Sequence, residues 1–399
     1  MSERIIGSLN IYSKIKKAVR EGGVPLVFTR LLKKIWWSFV RPNYLVQVLH
    51  NFNDLPKEDV QFRHLATQSN DILIAERILL ALKKAQKDEH KNIMGDLWDN
   101  IQRDYHSDFY AIYNDPAKVA EYMNNMNQHG ITWGISSSCI EDVMAISKSP
   151  SMQQEWGVMI KDALVSFAEA VCVLPRNLNA GNLLVDEGLL LSNIEGKIGI
   201  SLSPSNIEGG LYKLKINNKF FDCNDFISAY TAFRVHSLVG SDASIAEIGG
   251  GMGKAALYAE QFGITNYFIY DLPIINLVQA WFLIKSGVDV VLYGEQRRPH
   301  VLHILPYWEF KKESFDLTLN VNSFPEMDGS IVAEYLKIIK KNTSKYLLSI
   351  NLEDGGEYGE KHVHIVVQDI VTKVKGLNLI YRFPSWFMRN YVEELYKVD

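Results

Sequence analysis

The 399-residue chain reads as an α/β protein, a doubly wound and mostly parallel sheet preceded by a mainly helical N-terminal half. Three observations carry that reading. After Ala243, apolar stretches of strand length ("SIAEIG", "NYFIYD", "FDLTLNV", "KYLLSINLE") alternate with helical segments near 252–263, 273–286, 329–341 and 360–375. That alternation is the mark of parallel strands joined by crossover helices. From about 50 to 175 the apolar residues recur with helical period instead. Between these regions, "KIGISLS" and "LYKLKINNKFFD" alternate apolar and polar residues, with Asn217-Asn218 placed for a hairpin turn.

The helical half has two long members. "DILIAERILLALKKAQ" (Asp71 to Gln86) opens with Asn70 or Asp71 as N-cap, and a second helix covers Ser151 to Leu174. At the far end, "LNLIYRFPSW" and "NYVEELYKVD" supply two further strands. The expected organisation is a basic amphipathic segment over 1–45, a mainly helical substrate or lid domain with a small β-hairpin over 46–235, and the sheet domain over 236–399.

Composition narrows the function. A net charge of −4 gives no reason to expect a nucleic-acid partner. Cys139, Cys172 and Cys223 are scattered without a CxxC pair, which suits reduced thiols in a cytoplasmic protein and argues against a disulfide framework or a zinc site. Neither a secretory h-region with a cleavage site nor an apolar run of about 18 residues is present. Charge is uneven, however. Residues 1–41 hold nine Lys/Arg against two acids, a net of +7, which leaves −11 for the remainder. With Trp36, Trp37 and Phe39 beside those cations, the segment reads either as an interfacial helix on an anionic membrane or as a helix docked on the body by its aromatic side.

The chemistry centres on "IAEIGGGMGKAAL", Ile245 to Leu257, which closes the first strand of the sheet and opens its first helix. Glycines let the backbone turn sharply and let a ligand lie against it, and the helix N-terminus offers free N–H groups. A dinucleotide site would want a third glycine at 254, where the chain has Lys254. The spacing present is Glu247-x-Gly249-x-Gly251-x-Gly253, and Asp271 ends the next strand 18 residues after Gly253.

This ExGxGxG spacing resembles motif I of the class I S-adenosylmethionine-dependent methyltransferases, whose sheet is Rossmann-like. Beyond Asp271, "YDLPIINLVQAWFL" with Gln279, Phe282 and Leu283, and "FDLTLNVNSFPEMD" with Asn320 or Asn322, Ser323, Glu326 and Met327, are similar to the bacterial sugar O-methyltransferase family. The resemblance covers about 230 to the end. It implies S-adenosylmethionine as cofactor and a sugar hydroxyl or lipid-linked glycan as acceptor, in surface polysaccharide synthesis. It also implies donor-binding roles for Glu247, Gly249, Gly250, Gly251, Gly253, Asp271, Leu272, Asn322 and Ser323, with Asp271 taking the ribose hydroxyls. A methyltransferase of a non-sugar small molecule and a non-catalytic donor-binding partner are the competing classes.

A hydroxyl needs a base to take its proton, and ligands of doubly wound sheets sit at the carboxyl ends of the strands. The strand "FDLTLNV" ends near Val321-Asn322, so Glu326 is the first candidate base, against a plain helix-start role. His364 or His362, and His236 beside Arg234, are the other candidates. Asp354 or Glu353 with those histidines makes only a weak metal constellation, so no metal is expected. Arg297, Arg298, His300 and His303 could meet an anionic group or could be solvated loop residues. Glu295 and the "ILPYWEF" segment compete for the adenine side.

Overall fold

The computed structural model describes residues 59–89, 96–136, 140–174, 185–205, 207, 209–355, 357–358 and 362–399. The basic segment 1–41 and its aromatic residues lie outside the described residues, as do Cys139 and the side chain of His362. Among the described residues no helix is long and apolar enough to cross a membrane.

Eight strands form the central sheet: β4 (Ile245–Ile248), β5 (Tyr267–Asp271), β6 (Val290–Leu292), β7 (Leu302–Pro306), β8 (Phe315–Val321), β9 (Thr343–Leu352), β12 (Leu377–Pro384) and β13 (Tyr391–Val398). Their order is β12-β13-β9-β8-β4-β5-β7-β6, parallel except for β13, which runs antiparallel to both β9 and β12. The sheet is therefore Rossmann-like and doubly wound. The chain departs from β4 to β5 on one side and returns to β8 on the other, which places a topological switch point at the carboxyl end of β4. Alternation along the strands feeds two layers: Ile245 and Ile269 face one core, Ala246, Ile248, Phe268 and Tyr270 the other.

The helical half is built from α1 (Ser69–Asp88), α2 (Asp96–Tyr105), α3 (Ser107–Ile112), α4 (Pro116–Asn124), α5 (Ile140–Ser147), α6 (Pro150–Ala170) and α7 (Glu187–Ile198). Helix α1 begins earlier than expected: Gln68 is the N-cap and Asp71 closes a capping box at the third helical position. Ser149 caps α6 with Pro150 at its first position. The expected hairpin is β2 (Leu211–Ile216) and β3 (Lys219–Phe221), turned by Asn217 and Asn218 at φ 47° and 65°. Two successive positive φ values suit a tight hairpin turn, and Asn tolerates them. A third strand not foreseen, β1 (Val60–Arg63), pairs with β2. "KIGISLS" is no strand: its start completes α7, which Gly199 ends in the left-handed region at φ 83°. Where helix is expected over 360–375, strand β11 (His362–Val363) pairs with β10 (Glu357–Tyr358) just before it, and helix among the described residues of that stretch is confined to Val367–Val371.

Helix α8 (Cys223–Val239) leads into β4, and α9 (Lys254–Gln261), α10 (Pro273–Lys285) and α11 (Gly329–Asn342) are crossovers. The hairpin and α8 are tied to the glycine loop by a buried charge cluster. Lys254 Nζ lies 2.5 Å from Asp222 Oδ2 and 3.3 Å from Asp225 Oδ1, and Lys213 Nζ lies 3.7 and 3.9 Å from Oδ2 of the same two acids. Burial pushes the Asp222 carboxyl up, but Lys254 and Lys213 outweigh it and hold it below the usual range. Asp222 also caps α8, accepting the Asp225 N–H at 3.2 Å. Asp222→Ala leaves two buried ammonium groups to share one carboxylate, so it should destabilise the fold by about 3–5 kcal/mol. Urea unfolding reads this directly, and an unchanged midpoint would mean the cluster relaxes into solvent.

Candidate functional site

The carboxyl ends of β4, β5 and β8 border a cavity of about 460 Å³, roofed by residues of the helical half. Its floor is the glycine loop. Gly249, Gly251 and Gly253 take φ values of 70°, 53° and 85°, which side chains rarely adopt. Close approach adds a second requirement at two positions. A Cβ on Gly249 would overlap Ser323, and one on Gly250 would sit 2.7 Å from Ile269 Cγ2 and 3.1 Å from Glu247 Oε2. Gly249, Gly250 and Gly251 line the cavity; Gly253 lies beneath, where a Cβ would press on Leu283 at 3.2 Å.

Three carboxylates converge on this floor from three strand ends. Glu247, on β4, is 2% exposed and accepts the Tyr267 hydroxyl at 2.9 Å. Asp271, ending β5, accepts the Leu272 N–H at 2.8 Å through one oxygen and Gln279 Nε2 at 2.8 Å through the other. Gln279 donates at the same time to the Gly251 carbonyl at 3.0 Å, so one buried amide joins acid and loop. Glu326 follows β8 and accepts the indole N–H of Trp98, from α2, at 3.2 Å. Asp271 and Glu326 are surrounded by protein yet open to the cavity, hence only half-buried by exposure.

Burial dominates their titration. It pushes Glu247 up to about 7, against the Tyr267 hydrogen bond and with the Asp271 charge adding to it. Asp271 is pushed up to about 7 by burial, against donors from Leu272, Gln279 and Gly250. Glu326 rises to about 8, again by burial first, with the Trp98 hydrogen bond opposing and the Asp271 charge adding.

Most of the residues named from the sequence meet here. Glu247, Gly249, Gly250, Gly251, Asp271, Leu272, Asn322, Ser323 and Glu326 all line the cavity. The two asparagines are placed differently. Asn320 is fully buried and braces the turn through Ile248 O at 3.0 Å and Ser323 Oγ at 2.5 Å, whereas Asn322, at φ 53°, lines the cavity. Of the two stretches expected on the adenine side, Glu295 pairs with Arg77 and accepts the Leu292 N–H, while Tyr307 and Trp308 of "ILPYWEF" line the cavity.

The histidines whose side chains are described do not join them. His236 stacks on Phe262 with ring centroids 5.2 Å apart and is not among the lining residues, and its neighbour Arg234 pairs with Glu393 at 3.0 Å. His364 is half-buried in the segment behind the Glu326 turn, where the Ile365 N–H reaches Pro325 O at 3.4 Å, and it too is off the lining. His303 stacks on Phe268 inside the sheet, and Arg297 and Arg298 pair with Glu309, Glu313 and Asp289. No cluster of three or more metal-ligating side chains occurs among the described residues.

Sequence reading missed Trp98, Ile135, Ser136, Asn224 and Ser228, which line the cavity from the helical half and α8. Asn224 and Ser228 stand four apart on one helix face, a spacing visible in the sequence but indistinguishable there from an ordinary solvated stripe.

No protein-family model and no curated protein matches the chain. Solved structures align with part of the chain. The magnesium protoporphyrin IX methyltransferase of Synechocystis PCC 6803 is 11% identical over 44% of this chain and 81% of its own, with a TM-score of 0.31. A protein of Pyrococcus horikoshii OT3 is 9% identical over 42% and 86%, TM-score 0.33. A pyocyanin biosynthetic protein is 12% identical over 44% and 57%, TM-score 0.33.

The three raised carboxyl groups have a measurable consequence. Each binds its proton more tightly folded than unfolded, so each contributes stability that is full below the ordinary carboxylate range of about 4 and is lost as pH rises through about 7–8. The melting temperature of the ligand-free protein should therefore fall from about pH 5 to about pH 8 and level off above that, with a steeper fall than in Glu326→Gln. Parallel curves for the two proteins would remove Glu326 from this account.

Proposed function

We propose that the protein is an S-adenosylmethionine-dependent O-methyltransferase. The observation that carries this is the convergence of three carboxylates, one buried and two half-buried, on a glycine cradle, with Gln279 locking Asp271 to the loop. Such a cavity favours a ligand that is cationic and carries a vicinal diol. S-adenosylmethionine has a sulfonium, an ammonium and a ribose, and at Gly251, where a Cβ would meet nothing closer than Ile135 O at 3.7 Å, the loop leaves room for it against the backbone. Asp271 would hold the ribose hydroxyls, and Glu247 with the loop the aminoacyl end. The donor supplies a methyl group on a positively charged sulfur. The protein's own part is to bind and orient the two substrates, keep water out under its helical roof, and accept the hydroxyl proton at Glu326.

A sugar hydroxyl is the acceptor we favour. Asn224, Ser228 and Asn322 supply carboxamide and hydroxyl groups on the lining, able to pair with several hydroxyls of one ligand. A non-sugar acceptor such as a phenol or quinone is the second reading, supported by Met327, Ile331 and Met388 on the same lining. For a lipid-linked glycan, the basic and aromatic segment 1–41 would bring the enzyme to an anionic membrane surface.

Isothermal titration with S-adenosylmethionine tests the donor site. Asp271→Ala removes two charged hydrogen bonds and should weaken binding by about 2–4 kcal/mol. Tight NADH binding without any response to S-adenosylmethionine would end this reading. Release of S-adenosylhomocysteine with panels of sugar nucleotides and phenols separates the two acceptor classes. With the panel member that turns over, Glu326→Gln should slow transfer by about 10²–10⁴-fold while donor affinity holds.

A further inference from the structure

Glu326 meets a residue that the sequence places far from any motif. Trp98, on α2, lies 228 positions away, and its indole N–H donates to Glu326 Oε2 at 3.2 Å. The other carboxylate oxygen, Oε1, has no hydrogen-bond partner among the described residues. Both side chains line the same cavity. An indole N–H donates and cannot accept, so it satisfies a lone pair of the carboxylate without offering a place for the carboxyl proton. The ring itself is half-buried and packs against the main hydrophobic core.

We propose that Trp98 is a positioning residue that holds Glu326 by Oε2 and leaves Oε1 as the oxygen that takes the acceptor's proton. This rests on the methyltransferase reading. As the acceptor oxygen bonds to the methyl carbon, the carbon–sulfur bond breaks with its electron pair left on sulfur, and the hydroxyl proton moves to Oε1. The roof helix thereby controls the base, since a displaced α2 withdraws the donor from it.

Other charged groups face the same space. Asp271 on β5 acts on Glu326 directly, and Glu247 on β4 lines the same floor. Lys254 is engaged by Asp222 and Asp225, and Lys311, Tyr307, Glu334 and Tyr335 border the cavity. None of these changes in Trp98→Phe, which keeps an aromatic ring and deletes the N–H.

The experiment titrates the protonated-carboxyl stretch of the ligand-free protein by difference infrared spectroscopy, the Glu326 band being assigned by its loss in Glu326→Gln. In Trp98→Phe the midpoint should rise by about 1–2 pH units, the equivalent of one charged hydrogen bond. Trp98→Gln offers an N–H again and should stay near wild type. Binding of S-adenosylmethionine by both variants certifies their fold. With the acceptor that turns over, Trp98→Phe should transfer about 10-fold or more slowly at pH 7 and recover towards wild type at higher pH, which a merely misplaced roof would not do. An unmoved midpoint in Trp98→Phe, with Glu326→Gln inactive, overturns this inference and leaves the base in place. Normal transfer by Glu326→Gln overturns the base itself.

Discussion

Gln279 is the hinge of the site. Fully buried on the second turn of α10, it donates one amide hydrogen to Asp271 and another to the carbonyl of Gly251. A carboxylate at a strand end and a loop at positive φ are both costly alone, since one sits dehydrated and the other is conformationally strained for any residue but glycine. The single amide satisfies both, and it fixes the distance between the floor of the cavity and its acid. Pro273 at the first position of α10 sets the helix direction that carries Gln279 back under the loop. What the cavity offers a ligand depends on that bridge.

Electrostatics then decide what the cavity prefers. Glu247, Asp271 and Glu326 stand close enough for the Asp271 charge to raise the other two. The nearest buried ammonium, Lys254, is already held by Asp222 and Asp225. The carboxylates of the site therefore hold protons more tightly than free carboxylates do, and a cationic ligand would favour their charged forms. The fourfold cluster around Lys254 serves the opposite end of the problem. It balances its own charge internally, so it can anchor the hairpin and α8 to the glycine loop without contributing a field to the cavity.

The roof belongs to the same body as the sheet. Helix α1 packs on α10, and Lys285 pairs with Asp71 across that contact. One hydrophobic core runs from Ile74 and Leu79 through Trp281 and Leu283 to Ile304 and Leu319. Trp98 and Ile135 therefore reach the cavity from a packed layer.

Local chemistry made much of this readable in the chain. The alternation of strands and helices after Ala243, the long helix over 71–86, the Asn217-Asn218 turn and the glycine spacing before Asp271 all depend on neighbours a few residues apart, where periodicity and φ preference act. The candidate donor residues were readable for the same reason, because strand ends and their loops fall at one rim of a doubly wound sheet. Only the tertiary structure decided which polar side chains share the cavity. His236 and Arg234 are turned to Phe262 and Glu393, Asn320 is spent on the Ile248 carbonyl, and Glu295 on Arg77. Trp98 is brought to Glu326 by packing between segments 228 residues apart. Side-chain direction and burial come from long-range packing, and they set both the partner and the proton affinity of each carboxylate, which no spacing in the sequence encodes.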